Sequence, residues 1–157
     1  MNDQIANYDS RHETKKHIAR VEELLIAAAE ELVRRTEGHD SSKLEDPEKS
    51  YFDRLTPLLA GVTYGSPEYK GFLEEMKPAL QHHYGNNSHH PEHFENGVDG
   101  MDLFDLFEMF FDWKAASERH NNGSISKSID YNAGRFNLSP QMVSIMKNTV
   151  KNMGWDK

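Results

Sequence analysis

Apolar residues recur along most of this chain at helical spacing, and no segment shows the alternation of a half-buried strand. Between Arg11 and Glu37, Val21, Leu25, Ala28 and Leu32 fall three or four residues apart, which predicts a long amphipathic helix. Gly38 reads as its stop. His17 lies four residues before Val21, on the same stripe. Asp46-Pro47 is an N-cap followed by a proline at the first helical position. The helix it opens carries Tyr51, Phe52, Leu55, Leu58 and Leu59. Gly61 to Gly65 reads as a loop, and Ser66-Pro67 repeats the start signal for a helix reaching Tyr84, with Pro78 as a kink. Gly85 to Gly100 is polar. Further helices are expected over Asp102 to Asn121, Ile125 to Ala133, and from Ser139-Pro140 to the stop at Gly154, the last with Met142, Val143, Met146 and Val150 inward. The fold class is therefore all-α, a single-domain bundle over residues 1–157 with a core over about 11–153.

The helix from Asp102 departs from the usual proportions. Asp105, Glu108 and Asp112 share one narrow stripe at helical periodicity, flanked by Asp102. Leu103, Phe104, Leu106, Phe107, Phe110, Phe111 and Trp113 fill most of the remaining circumference. A solvent-facing helix has a broad polar face and a narrower apolar one. This helix is expected to be mostly buried, so its carboxylates need partners or a bound cation.

Composition narrows the function classes. At 157 residues the chain suits one domain with one sizeable core. A net charge of -8 argues against a sequence-independent nucleic-acid binder, which needs a basic face. It leaves room for small phosphorylated substrates, because a metal supplies local positive charge. The absence of cysteine excludes disulfides and thiolate chemistry. Met1 to Ser10 is polar and lacks the apolar core of a signal peptide. No apolar run approaches a membrane span, so a cytoplasmic, soluble protein is expected.

The candidate chemistry is metal binding. His17, the adjacent pair His39-Asp40 and an acid on the later helix can close around one divalent cation. An imidazole and carboxylate set suits Zn, Mn, Fe, Co or Ni without choosing among them. Taken singly, Asp40 reads equally as an N-cap before Ser41-Ser42-Lys43, and His17 as a hydrogen-bonded core residue. Asp105 and Asp112 compete for the helical ligand position. Five of the nine histidines fall between His82 and His93. They read as a second metal site with ligands from His83 and His89 or His90, as phosphate donors and a proton shuttle, or as an exposed polar loop. Lys43, one helical turn after Asp40, can point at the same site. Lys114, Arg119, Asn132 and Arg135 are weaker candidates for contacting a ligand. There is no Gly-rich phosphate loop, no G-x-S-x-G elbow and no H-E-x-x-H.

The order His17, His39-Asp40, Asp112, with Asp40-Ser41-Ser42-Lys43 continuing the pair, resembles the HD superfamily of metal-dependent phosphohydrolases. His89-His90-Pro91-Glu92 followed by Glu108-x-x-x-Asp112-Trp113 resembles a small phage-type family of HD-like proteins of uncharacterised function. The likeness covers about Arg11 to Met146. It implies a helical bundle with a central metal, held by His17, His39, Asp40 and Asp112, that hydrolyses phosphate esters of small nucleotides through a metal-activated water. On that pattern Glu108, or a histidine of the later group such as His83 or His89, orients the water or protonates the leaving oxygen. Lys43, with His83, His89 or His90, holds the phosphate, and Arg135 is a further contact. The histidine doublets also allow the two-metal form.

Two rival readings stand beside this one. An HD-fold di-iron oxygenase uses the same histidines. A metal-stabilised binding protein of the phage inhibitor type uses the acidic surface. The aromatic helix from Phe104 to Trp113 suits a homodimer interface as well as a core.

Overall fold

The computed structural model describes residues 8–62, 66–119 and 123–155. Among these the chain forms six α-helices and three short 3-10 turns and no strand, so the all-α reading holds. Residues 1–7 of the polar start, 63–65 of the expected loop and Asn121 at the expected helix end lie outside the described residues. No helix among the described residues is long and apolar enough to cross a membrane.

The chain divides into two compact units, residues 1–37 and 38–157. The first consists of helix α1, Arg11–Gly38, one residue longer than its spacing predicts. Its polar face is laced with pairs one turn apart, Glu13 with Lys16, Arg20 with Glu23, and Glu31 with both Arg34 and Arg35. Such pairs each contribute roughly 0.2–0.5 kcal/mol to an exposed helix. His17 lies on α1.

The second unit begins with a 3-10 turn, Ser41–Leu44, and helix α2, Glu48–Ala60. Pro47 stands at the N-cap, one position earlier than expected, while Asp46 Oδ1 accepts from Ser50 N at 3.2 Å. Helix α3, Pro67–Asn86, starts where Ser66 accepts from Tyr69 N, and it carries Pro78 internally. The polar stretch that follows holds two 3-10 turns, Pro91–His93 and Gly97–Gly100. Helix α4, Leu103–Ser117, opens on a reciprocal cap between Asp102 and Asp105. Ser124 and Ser139 cap α5, Ile125–Arg135, and α6, Pro140–Asn152. Gly154, at φ 67°, lets Trp155 N reach back to Val150 O at 3.0 Å. Glycine takes that left-handed conformation without steric cost.

Two hydrophobic cores result. Leu55, Met76 and Ala79 join α2 to α3. Met109, Phe110, Ile125, Ile129, Leu138, Met146 and Val150 join α4, α5 and α6. One apolar expectation is corrected. Helix α4 is not mostly buried: only Asp105, Met109 and Phe110 are, while Leu103 is 79% exposed and Phe107 47%. One face of α4 packs into the second core, and its aromatic excess wraps beyond the width that one packed face covers.

Candidate metal centre

His39 and Asp40 stand where α1 ends and the first 3-10 turn begins. Asp40 takes the left-handed conformation, φ 55° and ψ 11°. Asp tolerates this region better than most residues, and such outliers gather at functional sites. Asp40 occupies the cap position of the turn yet makes no cap hydrogen bond with its side chain. Its carboxylate turns to the histidines instead, which removes the reading of Asp40 as an ordinary N-cap.

His83, on the last turns of α3, and His89, in the loop after it, are 1% and 2% exposed. Their ring nitrogens converge on Asp40 Oδ1, His83 Nε2 at 3.2 Å and His89 Nε2 at 3.5 Å. His90 Nε2 lies 2.9 Å from His83 Nε2. These four residues therefore offer one ligand atom each around a common point. Tetrahedral coordination at 2.0–2.1 Å requires ligand separations of about 3.3 Å, and the observed spacings bracket that value.

The outer ring nitrogens are held by carboxylates. His83 Nδ1 donates to Glu48 Oε2 at 2.9 Å, and Glu48 is fully buried. His89 Nδ1 and His39 Nδ1 both donate to Glu108 Oε1, at 3.1 and 2.8 Å. A carboxylate on Nδ1 fixes the proton there and leaves Nε2 as a bare acceptor, the arrangement seen in carboxylate–histidine–metal triads. His89 Nε2 and Asp40 Oδ1 are both buried and neither has a hydrogen-bond partner. Two buried acceptors turned on each other are costly unless a cation lies between them.

A second group adjoins the first. His39 Nε2 lies 3.8 Å from Asp40 Oδ2 and 3.9 Å from Asp112 Oδ1. These three form another set able to hold a metal ion. Asp40 belongs to both sets, Oδ1 facing His83 and His89 and Oδ2 facing His39, while His39, His89 and Glu108 form a third group without it.

The family described as a family of unknown function (DUF5662) matches residues 6–152. The chain belongs to this family. No curated protein and no solved structure matches it.

The electrostatics of this DUF5662 member keep the ligands in binding form. Burial alone would raise the Asp40 carboxyl. The ammonium of Lys43, 2.6 Å from Oδ2, opposes burial, and the carboxyl is held below the usual carboxylate range. Burial likewise raises Glu48, but hydrogen bonds from His82 and Ser42 and the proximity of His83 bring it below its ordinary value. His90 is pushed down to about 3, by burial first and then by neighbouring His89 and His83. It is therefore neutral near pH 7, as a ligand must be.

Each residue expected from the sequence now has a place. Asp112 joins the cluster, whereas Asp105 is committed elsewhere: it accepts from Ser88 Oγ at 2.6 Å and from Asp102 N at 3.1 Å. Of the doublets, His83 rather than His82 faces inward, and His89 and His90 both do. The exposed-loop reading of this segment fails on that burial. His17 belongs to the first unit, and the second unit's groups form without it. Lys43 lies against Asp40. Lys114 pairs with Glu118 and sits over the Trp155 ring, and Arg119 is exposed. Arg135 pairs with Glu92 at 2.6 Å. Glu48, Ser42, Asn87 and Ser88 have no signature in the sequence. Asn87 donates to Ser42 Oγ at 2.9 Å and to His83 O at 2.8 Å, tying the 3-10 turn to the end of α3.

Proposed function

We propose that this protein is a metal-dependent phosphohydrolase that cleaves a phosphate ester of a small nucleotide. The observation that carries the reading is the pair of buried, unpartnered acceptors, Asp40 Oδ1 and His89 Nε2, converging with His83 and His90. The grouping of His39, Asp40 and Asp112 supports the resemblance to the HD superfamily. Asp40, His83, His89 and His90 would hold one ion, and His39, Asp40 and Asp112 could hold a second. Three imidazoles and a carboxylate favour a transition metal over Mg or Ca.

A divalent ion held there supplies Lewis-acid charge to a phosphoryl oxygen and lowers the pKa of a bound water toward neutrality. The residues supply the rest. Glu48 and Glu108 hold the imidazoles in the ligating tautomer, so Glu108 is assigned to positioning rather than to proton transfer. On the same geometry His83 and His89 are ligands rather than acid–base groups. Lys43 lies 2.6 Å from Asp40 Oδ2, at the edge of the cluster, where its ammonium would also meet a substrate phosphate.

A carboxylate shared between two groups of histidines equally suits a pair of irons, and this keeps an oxygenase as the second reading. Phosphate release from a nucleotide panel with Mn²⁺, Co²⁺ or Zn²⁺, beside Asp40→Ala, tests the choice. Metal-dependent release that disappears in a folded Asp40→Ala supports the hydrolase. Two bound irons with oxygen consumption and no release from any nucleotide would overturn it.

A further inference from the structure

A cavity of about 280 Å³ opens beside the metal-ligand cluster, within the second unit. Two of its wall residues, His90 and Asp112, belong to the ligand groups, one to each. The remaining wall is largely aromatic: Tyr84, Trp113, Tyr131 and Phe136. Trp113 and Phe136 stack on each other with planes 6° apart, and the Arg135 guanidinium lies over the Phe136 ring. Tyr131 is 63% exposed and forms part of the rim. Arg135 is the one Lys or Arg among the lining residues, and its charge is already engaged by Glu92 at 2.6 Å. The buried amide of Asn132 adds a neutral polar group.

These features select a ligand. A small mixed cavity, at the lower end of the size of ligand pockets, takes one compact molecule rather than two joined nucleosides. Aromatic walls stack a planar base without needing to read its sequence identity. The wall itself offers a phosphate only one guanidinium, already paired, so the cavity suits the nucleoside and leaves the phosphate to the cluster. We infer that the cavity formed by Tyr84, Trp113, Tyr131, Asn132 and Arg135 holds the nucleoside of a nucleoside monophosphate, with its single phosphate directed past His90 and Asp112 to the cluster. This rests on the hydrolase reading only for what happens to the phosphate. There, a water oxygen bonds to phosphorus, the ester P–O bond breaks, and the ester oxygen leaves with a proton as the nucleoside hydroxyl. The products are nucleoside and inorganic phosphate.

The test reads binding apart from chemistry. Calorimetric titrations of the full chain, with Mn²⁺ and with chelator, use adenosine and non-hydrolysable phosphonate analogues of adenosine 5′-monophosphate and adenosine 5′-triphosphate, and phosphate release is assayed separately on the monophosphate itself. The monophosphate is expected to bind, and its affinity to fall about tenfold in Tyr131→Ala, the size of losing one stacked base. Adenosine is expected to bind equally with and without Mn²⁺, while the monophosphate gains from the metal. Because Tyr131 is largely exposed, its truncation leaves the cores intact, and circular dichroism checks this. Arg135→Gln serves as the second variant, with the same direction. The inference is overturned if Tyr131→Ala and Arg135→Gln bind the monophosphate as wild type does. It is also overturned if the triphosphate binds tenfold more tightly than the monophosphate. Binding as expected with no phosphate release upholds the cavity assignment and overturns the hydrolase reading. Phosphate release from the monophosphate that both variants leave unchanged does the reverse.

Discussion

His89 Nε2 and Asp40 Oδ1 face each other across 3.5 Å, both buried and neither hydrogen-bonded. Behind them, His89 Nδ1 is held by Glu108 and Asp40 Oδ2 by Lys43. Every outer atom of this pair is satisfied and the inner two are not, which is the pattern a cation completes. Replacing His89 by Ala removes one inner ligand and leaves the other groups in place. Its affinity for Zn²⁺ or Mn²⁺ is expected to fall more than the 10–100-fold typical of losing a residue behind a ligand. Calorimetry with each metal measures it, and wild-type affinity in His89→Ala would count against the site.

Glu48 touches no ligand atom on the inner side, yet it orients His83 and is fully buried. Glu48→Gln keeps the size but weakens the hold on the Nδ1 proton. Metal affinity is expected to fall about 10–100-fold with the secondary structure unchanged. Equilibrium dialysis beside circular dichroism separates the two effects.

Asp105 and Asp112 share a stripe of α4 but differ in role. Asp105→Ala removes the acceptor for Ser88 and half of the reciprocal cap, and is expected to cost about 1–3 kcal/mol of unfolding free energy. Asp112→Ala is expected to change metal-free stability little and to weaken metal binding. Urea melts of metal-free protein, paired with metal titrations, should give opposite rankings for the two variants.

Acid should destabilise the metal-free protein in a definite window. His90 is depressed to about 3 in the folded chain against an ordinary value of 6.5. Between those values the unfolded chain binds the proton and the folded chain does not. Stability is therefore full above about pH 6.5 and declines as pH falls toward 3. Asp40 and Glu48, also depressed, add to the loss below their ordinary values near 4. Denaturant midpoints between pH 8 and 4 check this, and a flat profile from 7 to 5 would contradict it.

The helices were legible because their start signals are local. Ser66-Pro67 and Ser139-Pro140 each proved to be a capping serine followed by the first helical residue. His39, Asp40 and Asp112 could be singled out by residue type and order, and they come together in the structure. What the sequence left open was set by tertiary packing. Nothing local tells His83 from His82: Glu48, on another helix, holds both rings, and only His83 also turns its Nε2 to Asp40 and His90. Asp105 and Asp112 differ only in what lies opposite, Ser88 for one and His39 for the other. The burial of α4 was overread because aromatic content signals a core without fixing how much of the helix circumference is covered.

The most direct test of the account is metal content. The full chain and Asp40→Asn would be loaded with Zn²⁺ or Co²⁺, dialysed, and assayed by mass spectrometry beside circular dichroism. The account predicts at least one tightly held ion per wild-type chain and near-complete loss from a folded Asp40→Asn, since that carboxylate serves two of the three candidate groups, including the four-residue one. Equal metal content in the two proteins, or none in either, would contradict it.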